Sequence, residues 1–201
     1  RENGKEFGSS AGSGKLLRDA VRPLAMNASD SRVVARLTKT MSQIKNLDAI
    51  NSRGNRVVAE GIQTPAGLNT LKGFDFNNQA LLSSLFFNSY SVNTVSGEIV
   101  VTDLIPQQDL IPPIGATHVE FSCGFVGLDF STNEKDLQQS NSVVLPIDQI
   151  QTTVTLTPSG IPSVGTTRLY LLKIAFFQLI NGTRYSMKNG AFNALQIVEV
   201  I

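Results

Sequence analysis

The sequence predicts a mainly β protein: an antiparallel β-sandwich of jelly-roll or immunoglobulin-like type, with about eight strands, preceded by two N-terminal α-helices. Three observations carry this. Up to about residue 60, apolar residues recur at every third or fourth position, the period of a helix face; beyond Gly61 they tend to alternate, the period of a strand. Short turn signals, Ser96-Gly97, Asn181-Gly182 and Asn189-Gly190, separate alternating runs at hairpin spacing. The charge changes at the same place. Residues 1–60 hold 11 Lys and Arg against 6 Asp and Glu, a net of +5, while residues 61–201 hold 6 against 10, a net of −4, which together give the chain its +1. The later part carries 45 Ser, Thr, Asn and Gln instead. The chain therefore divides into a basic helical segment, residues 1–60, and an antiparallel β-sandwich domain, residues 61–201.

Within the first segment, Leu16, Leu17, Ala20, Val21 and Leu24 have helical spacing. Gly4, Gly8 and Gly12 fall every four residues, so a helix reaching back to Glu2 would present a smooth face suited to close packing. Pro23 ends or kinks it. Asn27–Ser31 is a loop with capping residues. Arg32–Ile50 makes a second helix with Val33, Leu37, Met41, Ile44 and Leu47 as its apolar stripe. Beyond Gly61, Phe74–Phe76 and part of Leu81–Tyr90 alternate. Ser91–Val95 and Glu98–Leu104 flank the Ser96-Gly97 turn, and Pro106, Pro112 and Pro113 bound a loop. Thr117–Phe130 alternates through Val119, Phe121, Cys123 and Phe125, and a slip at Gly127 points to a β-bulge. Ser131–Ser142 is a polar loop. Strands are expected at Val143–Ile147, Thr152–Leu156, Arg168–Leu179, Thr183–Met187 and Phe192–Ile201, the last alternating to the end.

Composition excludes several functions. A single Cys forms no internal disulfide, and one Cys with one His does not make a zinc site. Neither a cofactor nor a metal is expected, and His-dependent catalysis has little to draw on. Charged residues are 16% of the chain, below the roughly 25% of typical soluble proteins. The near-zero net charge argues against a nucleic-acid partner, whose affinity rests on neutralising phosphates. The longest apolar run, Leu169–Ile180, is interrupted by Lys173 and Gln178 and is too short to span a bilayer as a helix. The polar start, Arg1-Glu-Asn-Gly-Lys, carries no signal peptide. The chain begins without Met, so either residues precede Arg1 in the full product or the chain was processed.

No motif with chemistry survives inspection. Gly12-Ser-Gly-Lys15 suggests a phosphate loop, but Ser9 stands where the first Gly is required and Leu16 where Ser or Thr is required. His118 reads as a surface imidazole at the edge of a strand, and Cys123 as a buried free thiol. Asp129–Asp136 has oxygen-bearing residues at alternate positions, as in a calcium loop, yet Glu134 replaces the turn Gly and Ser140 the closing Glu. Asn27-Ala-Ser29 and Asn181-Gly-Thr183 match the glycosylation pattern, the second being better explained as a turn. Asp103, Asp109, Glu120 and Asp129 show no spacing diagnostic of paired-carboxylate hydrolysis. Arg32, Arg36, Lys39, Lys45, Arg53 and Arg56 form a basic stretch that reads as a solvated helix face. No catalytic, cofactor-binding or metal residue is assigned.

Arg1-Glu-Asn-Gly-Lys-Glu-Phe-Gly8, Gly14–Leu24, Ser31–Lys39, Gly115–Phe121 and Tyr185–Leu195 resemble, over nearly the whole chain, an uncharacterised family of Bacteroidota proteins, a domain of unknown function. The resemblance implies a helical N-terminal segment, a β-rich C-terminal part and a Lys- and Gly-rich extension before the position of Arg1. It implies no activity and transfers no site residue.

The expected role is a non-enzymatic structural subunit that self-assembles with copies of itself, as in a surface filament, a sheath or a phage-like particle at the cell surface or outside it. The sparsely charged β-part costs little to desolvate in subunit contacts, opposite charges on the two parts suit head-to-tail stacking, and the last strand could complete a neighbour's sheet. The alternative is a binding module for carbohydrate or a cell-surface partner, weakened by the absence of Trp and the presence of only three Tyr, at 90, 170 and 185.

Overall fold

The computed structural model describes residues 2–201, with side chains from Gly4 onward; Arg1 and the side chains of Glu2 and Asn3, part of the polar start, lie outside the described residues. Helix α1 runs Glu2–Ala25 and does extend back across the glycines, with Pro23 inside its last turn. Leu16, Leu17, Ala20, Val21 and Leu24 are buried. Gly4, Gly8 and Gly12 form an exposed face that touches nothing within 4 Å of where a Cβ would stand. Helix α2, Val33–Lys45, buries Leu37, Met41 and Ile44 but stops short of Ile50. It ends because Asp48 gathers the chain into a turn, accepting from the backbone N–H groups of Ile50, Asn51 and Val57.

Helical structure continues past Gly61, where turns and alternation were expected. Helix α3 is Val58–Gly61, α4 is Pro65–Leu71 and α5 is Leu82–Leu85. Each is too short to show a period in sequence. The start of α4 has a local cause: Thr64 Oγ1 accepts from Gly67 N–H at 3.0 Å, and Pro65, which has no N–H to satisfy, takes the first turn.

The strands are β1 Ser91–Val92, β2 Ile99–Leu104, β3 His118–Asp129, β4 Glu134–Gln139, β5 Val143–Pro146, β6 Thr152–Leu156, β7 Thr167–Ile180, β8 Thr183–Ser186 and β9 Ala194–Val200, with a short helix α6, Pro106–Asp109, after β2. The fold is mainly β, with two antiparallel sheets that curl as a half-barrel and the helices at the N-terminal side. The smaller sheet has the order β1-β2-β6. The larger is centred on β3 and β7, paired without interruption from His118↔Phe177 to Leu128↔Thr167. β4 and β5 follow one another along the outer side of β3, and β8 and β9 along the outer side of β7.

Both faces of the larger sheet are buried, by different partners. On one face Val126, Leu128, Leu169, Leu171, Leu195 and Ile197 pack with Leu17, Leu37, Met41 and Ile44 of the helices. On the other, Val119, Phe121, Cys123, Phe125, Tyr170 and Leu172 pack with Ile99 and Val101 of β2 and Val154 and Leu156 of β6. This corrects the bulge expected at Gly127. β3 stays in register with β4 and β7; what changes near Gly127 is which face is apolar. The irregularity lies in β9 instead, where the pairing passes from Leu171↔Ile197 to Tyr170↔Glu199. It lets Leu195, Ile197 and Val200 all reach the helical side while Val198 points to the other.

Three further expectations are corrected. Residues 134–139 of the polar loop form the edge strand β4. Asn189-Gly190 does not close a hairpin. Residues 187–193 loop out between β8 and β9, with a 3-10 turn at Lys188–Gly190, and both strands pair with β7. Finally, the last strand is covered on both sides. Beyond its pairing with β7, the Ile197 carbonyl accepts from Gly73 at 2.7 Å, the Leu195 carbonyl accepts from Phe76 at 2.8 Å, and Ile197 N–H donates to the Phe74 carbonyl at 3.0 Å. Over Leu195–Ile197 the strand is therefore paired within the chain on both edges.

Candidate functional site

The residues singled out from sequence are scattered. Lys15 lies within α1 and pairs with Asp19 one turn on, at 2.7 Å, so Gly12–Lys15 is helix rather than a phosphate cradle. His118 opens β3; its ring stacks on Phe177 with centroids 5.5 Å apart, and its Nδ1 is 2.8 Å from Thr117 Oγ1. Cys123 is fully buried, and burial pushes its thiol up to about 11. Asp129 spends its carboxylate on its own loop, accepting from Ser131 N–H and Oγ and from Thr132 N–H, and these bonds, led by that from the Ser131 hydroxyl, lower its pKa. Among the described residues no group of three or more His, Cys, Asp or Glu is placed to hold a metal ion.

The four acids weighed for hydrolysis have separate local tasks. Asp103 accepts from Gln151 and Asp109 from Ile105 N–H and Asn88, while Glu120 pairs with Arg184 at 2.5 Å. The pair spans β7, from Glu120 on β3 to Arg184 on β8, and Arg184 also lies over Phe177, 4.5 Å from the ring centroid. The tyrosines are likewise divided. Tyr170 is buried and donates to the Thr94 carbonyl at 2.6 Å, Tyr90 is half-buried against Phe86, and Tyr185 is exposed on β8.

The basic stretch splits in two. Lys45 is buried and paired with Glu6, whose other oxygen accepts from Gly54 and Arg56 N–H groups; the Lys45 bond is the main cause of Glu6's lowered pKa. Arg36 is held by Asp30 and by the carbonyls of Asp75 and Phe76. Arg56 is half-buried, whereas Arg32, Lys39 and Arg53, and Arg22 ahead of the stretch, are exposed, and among the described residues none of these four lies within salt-bridge distance of an acid.

Those exposed cations sit on the helical layer, on one side of the larger sheet. On the opposite side, the stretches that build the smaller sheet and its loops, residues 86–117 and 147–166, contain no Lys or Arg at all. They carry Glu98, Asp103, Asp109 and Asp148. Two cations reach that side from other segments, Arg168 bonding the carbonyls of Pro162 and Val164 and Lys188 flanking the loop Ile111–Ile114, so charge is sorted by layer in the main rather than completely.

A concave, mainly apolar surface lies elsewhere. A groove of about 470 Å³ runs between Ala80–Leu85, the loop Ile111–Ile114 and the 187–192 excursion. Ile111 and Ile114 on its wall are 59% and 102% exposed. Sequence reasoning missed this site because three distant segments build it; the one available signal was Ile111-Pro-Pro-Ile114, two large apolar residues in a turn-rich loop.

No family model, no curated protein and no solved structure matches the chain.

Proposed function

We propose that the chain is a non-enzymatic structural subunit that self-assembles head to tail. The sorting of charge by layer carries this reading. A helical face with exposed Arg22, Arg32, Lys39 and Arg53 and a smaller sheet whose own stretches carry acids but no Lys or Arg lie on opposite sides of one molecule, so each copy offers its successor a surface of largely complementary charge. Such a contact is heterologous. Repeated, it closes into a ring or grows as a filament, according to the rotation between copies. The exposed glycine face of α1 adds support. Three glycines in an exposed helix cost about 1 kcal/mol each relative to Ala, and a close helix contact in the assembly would offset that cost. The two sheets facing one another across the second core fit a sandwich of the jelly-roll or immunoglobulin-like kind, and the resemblance to the Bacteroidota family belongs to the same proposal without adding a site. A carbohydrate-binding module is the weaker reading, because only Tyr185 of the three tyrosines offers an exposed ring.

Light scattering after size exclusion, with negative-stain microscopy, tests the reading. Assemblies are expected at low salt and their dissociation at high salt, since exposed charges are screened beyond a Debye length of ~10 Å at 0.1 M. The double charge reversal Arg22→Glu and Arg32→Glu is expected to leave monomers. A parent chain that stays monomeric at high concentration and low salt would sink the idea.

A further inference from the structure

The groove bordered by Ala80–Leu85, Ile111–Ile114 and residues 187–192 has the size and character of a ligand site rather than of a packing defect. Its volume of about 470 Å³ falls within the roughly 300–1,000 Å³ of small-molecule sites, which are mainly apolar with a few polar groups that set orientation. The wall is fixed by the backbone. Pro112 and Pro113 restrict the loop and contribute no N–H, Ile111 N–H is taken by the Leu85 carbonyl at 2.9 Å, and Ala116 N–H by the Pro113 carbonyl at 3.1 Å. Ile111 and Ile114 are thereby held out in solvent, where large contiguous apolar surface marks binding.

One charged side chain lines the groove, Lys188. Its Nζ lies over the Phe192 ring, 5.4 Å from the centroid, and among the described residues it has no acid within salt-bridge distance. Lys188 and Asn189 have φ of 42° and 54°, left-handed backbone that a long side chain rarely adopts, and the loop that brings Lys188 to the groove keeps it. The remaining lining is uncharged, Gln79 and Ser84 supplying its polar side chains. No carboxylate faces the groove, so a cationic ligand finds no counter-charge. One lysine matches one negative charge and leaves a phosphate dianion under-neutralised.

We propose that the groove binds an amphiphilic monocarboxylate of fatty-acid type, its apolar body against Ile111, Ile114 and Phe192 and its carboxylate at the Lys188 ammonium. This is independent of the head-to-tail reading, which uses the charged layers.

Isothermal calorimetry with sodium decanoate, below its micelle concentration, tests the proposal, since a chain without Trp offers no indole signal. Saturable one-site binding is expected, with decanol about tenfold weaker, the difference that one charge-assisted contact supplies. Lys188→Gln is expected to bring decanoate to the level of decanol, and Lys188→Arg to restore it. Ile114→Glu is expected to abolish binding without lowering the melting temperature, because that side chain is fully exposed. Equal affinity for decanoate and decanol, unchanged binding in Ile114→Glu, or no saturable heat would each overturn it. So would co-sedimentation with neutral phosphatidylcholine vesicles in the absence of decanoate binding, which assigns the groove to a membrane surface. Decanoate heats that vanish as the chain oligomerises would assign it to a second copy.

Discussion

Gly61 is pressed against the carbonyl of Ile44: a Cβ at Gly61 would stand 1.9 Å from the Ile44 oxygen and 2.8 Å from its carbon. The point where charge and period change along the chain is therefore a tight contact between α3 and α2, not a slack linker. Gly61→Ala forces backbone against backbone, and the fully buried Ile44 has nowhere to retreat. Overpacking of this kind costs about 3 kcal/mol, a fall in melting temperature of roughly 6–12 °C for a chain of this size. The same substitution at Gly8, exposed on α1 with nothing within 4 Å, is expected to stabilise by about 1 kcal/mol. Thermal unfolding of the two variants measures both, and equal melting temperatures would show that α3 can move away from α2.

Cys123 is expected to be inert in the folded chain. It lies in the core between the two sheets, its Sγ 3.7 Å from the Leu156 carbonyl and 3.9 Å from that of Gly97. With burial holding the thiol at about 11, almost no thiolate is present at pH 8. Ellman's reagent should release colour only at the rate of unfolding, and fully after denaturation. Rapid labelling of native protein would place the thiol outside the core.

These buried sites differ in how far the residues announce them. Val119, Phe121, Cys123 and Phe125 alternate cleanly, so β3 was legible, and β7 was legible as a long strand because both its faces are apolar. The polar edge strand β4 has one apolar residue, Leu137, in six, so no period marks it. The apparent slip at Gly127 arises because β3 meets two cores in succession, which only the three-dimensional layering reveals. The groove was illegible for a related reason. Ile114 and Lys188 are more than seventy positions apart in a chain of 201, and no local pattern links them.

Tyr170 ties β7 to the turn between β1 and β2. Its ring stacks on Phe125 with centroids 4.7 Å apart, and its hydroxyl donates to the Thr94 carbonyl at 2.6 Å. Burial pushes the phenol up to about 12, so it is a donor at neutral pH. Tyr170→Phe preserves the stacking and removes the donor. The orphaned carbonyl should cost about 1–2 kcal/mol in urea unfolding, with an unchanged m-value. Replacement without cost would mean that water already serves Thr94.

Asp48 gives the fold a defined acid dependence. Burial alone would raise its carboxyl, but hydrogen bonds from the Asn51 backbone and side chain, Val57 and Ile50 outweigh it and hold the carboxyl at about 2, against 3.8 for an unperturbed Asp. The folded state therefore binds this proton more weakly than the unfolded state does. The stabilisation is complete above the unfolded value and is lost as pH falls from about 4 towards 2, where the protonated carboxyl can no longer accept all four bonds. Its size is on the order of 1 kcal/mol once solvent screening is allowed for. Several other carboxyls, Glu6 and Asp30 among them, are also lowered, so the parent curve alone does not isolate Asp48. The difference between parent and Asp48→Asn does. Chemical denaturation across this range should show the parent's advantage shrinking as the pH drops, because the amide has no charge to lose. An advantage that stays constant down to pH 2 would mean that Asp48 holds the end of α2 by shape alone, with its charge contributing nothing.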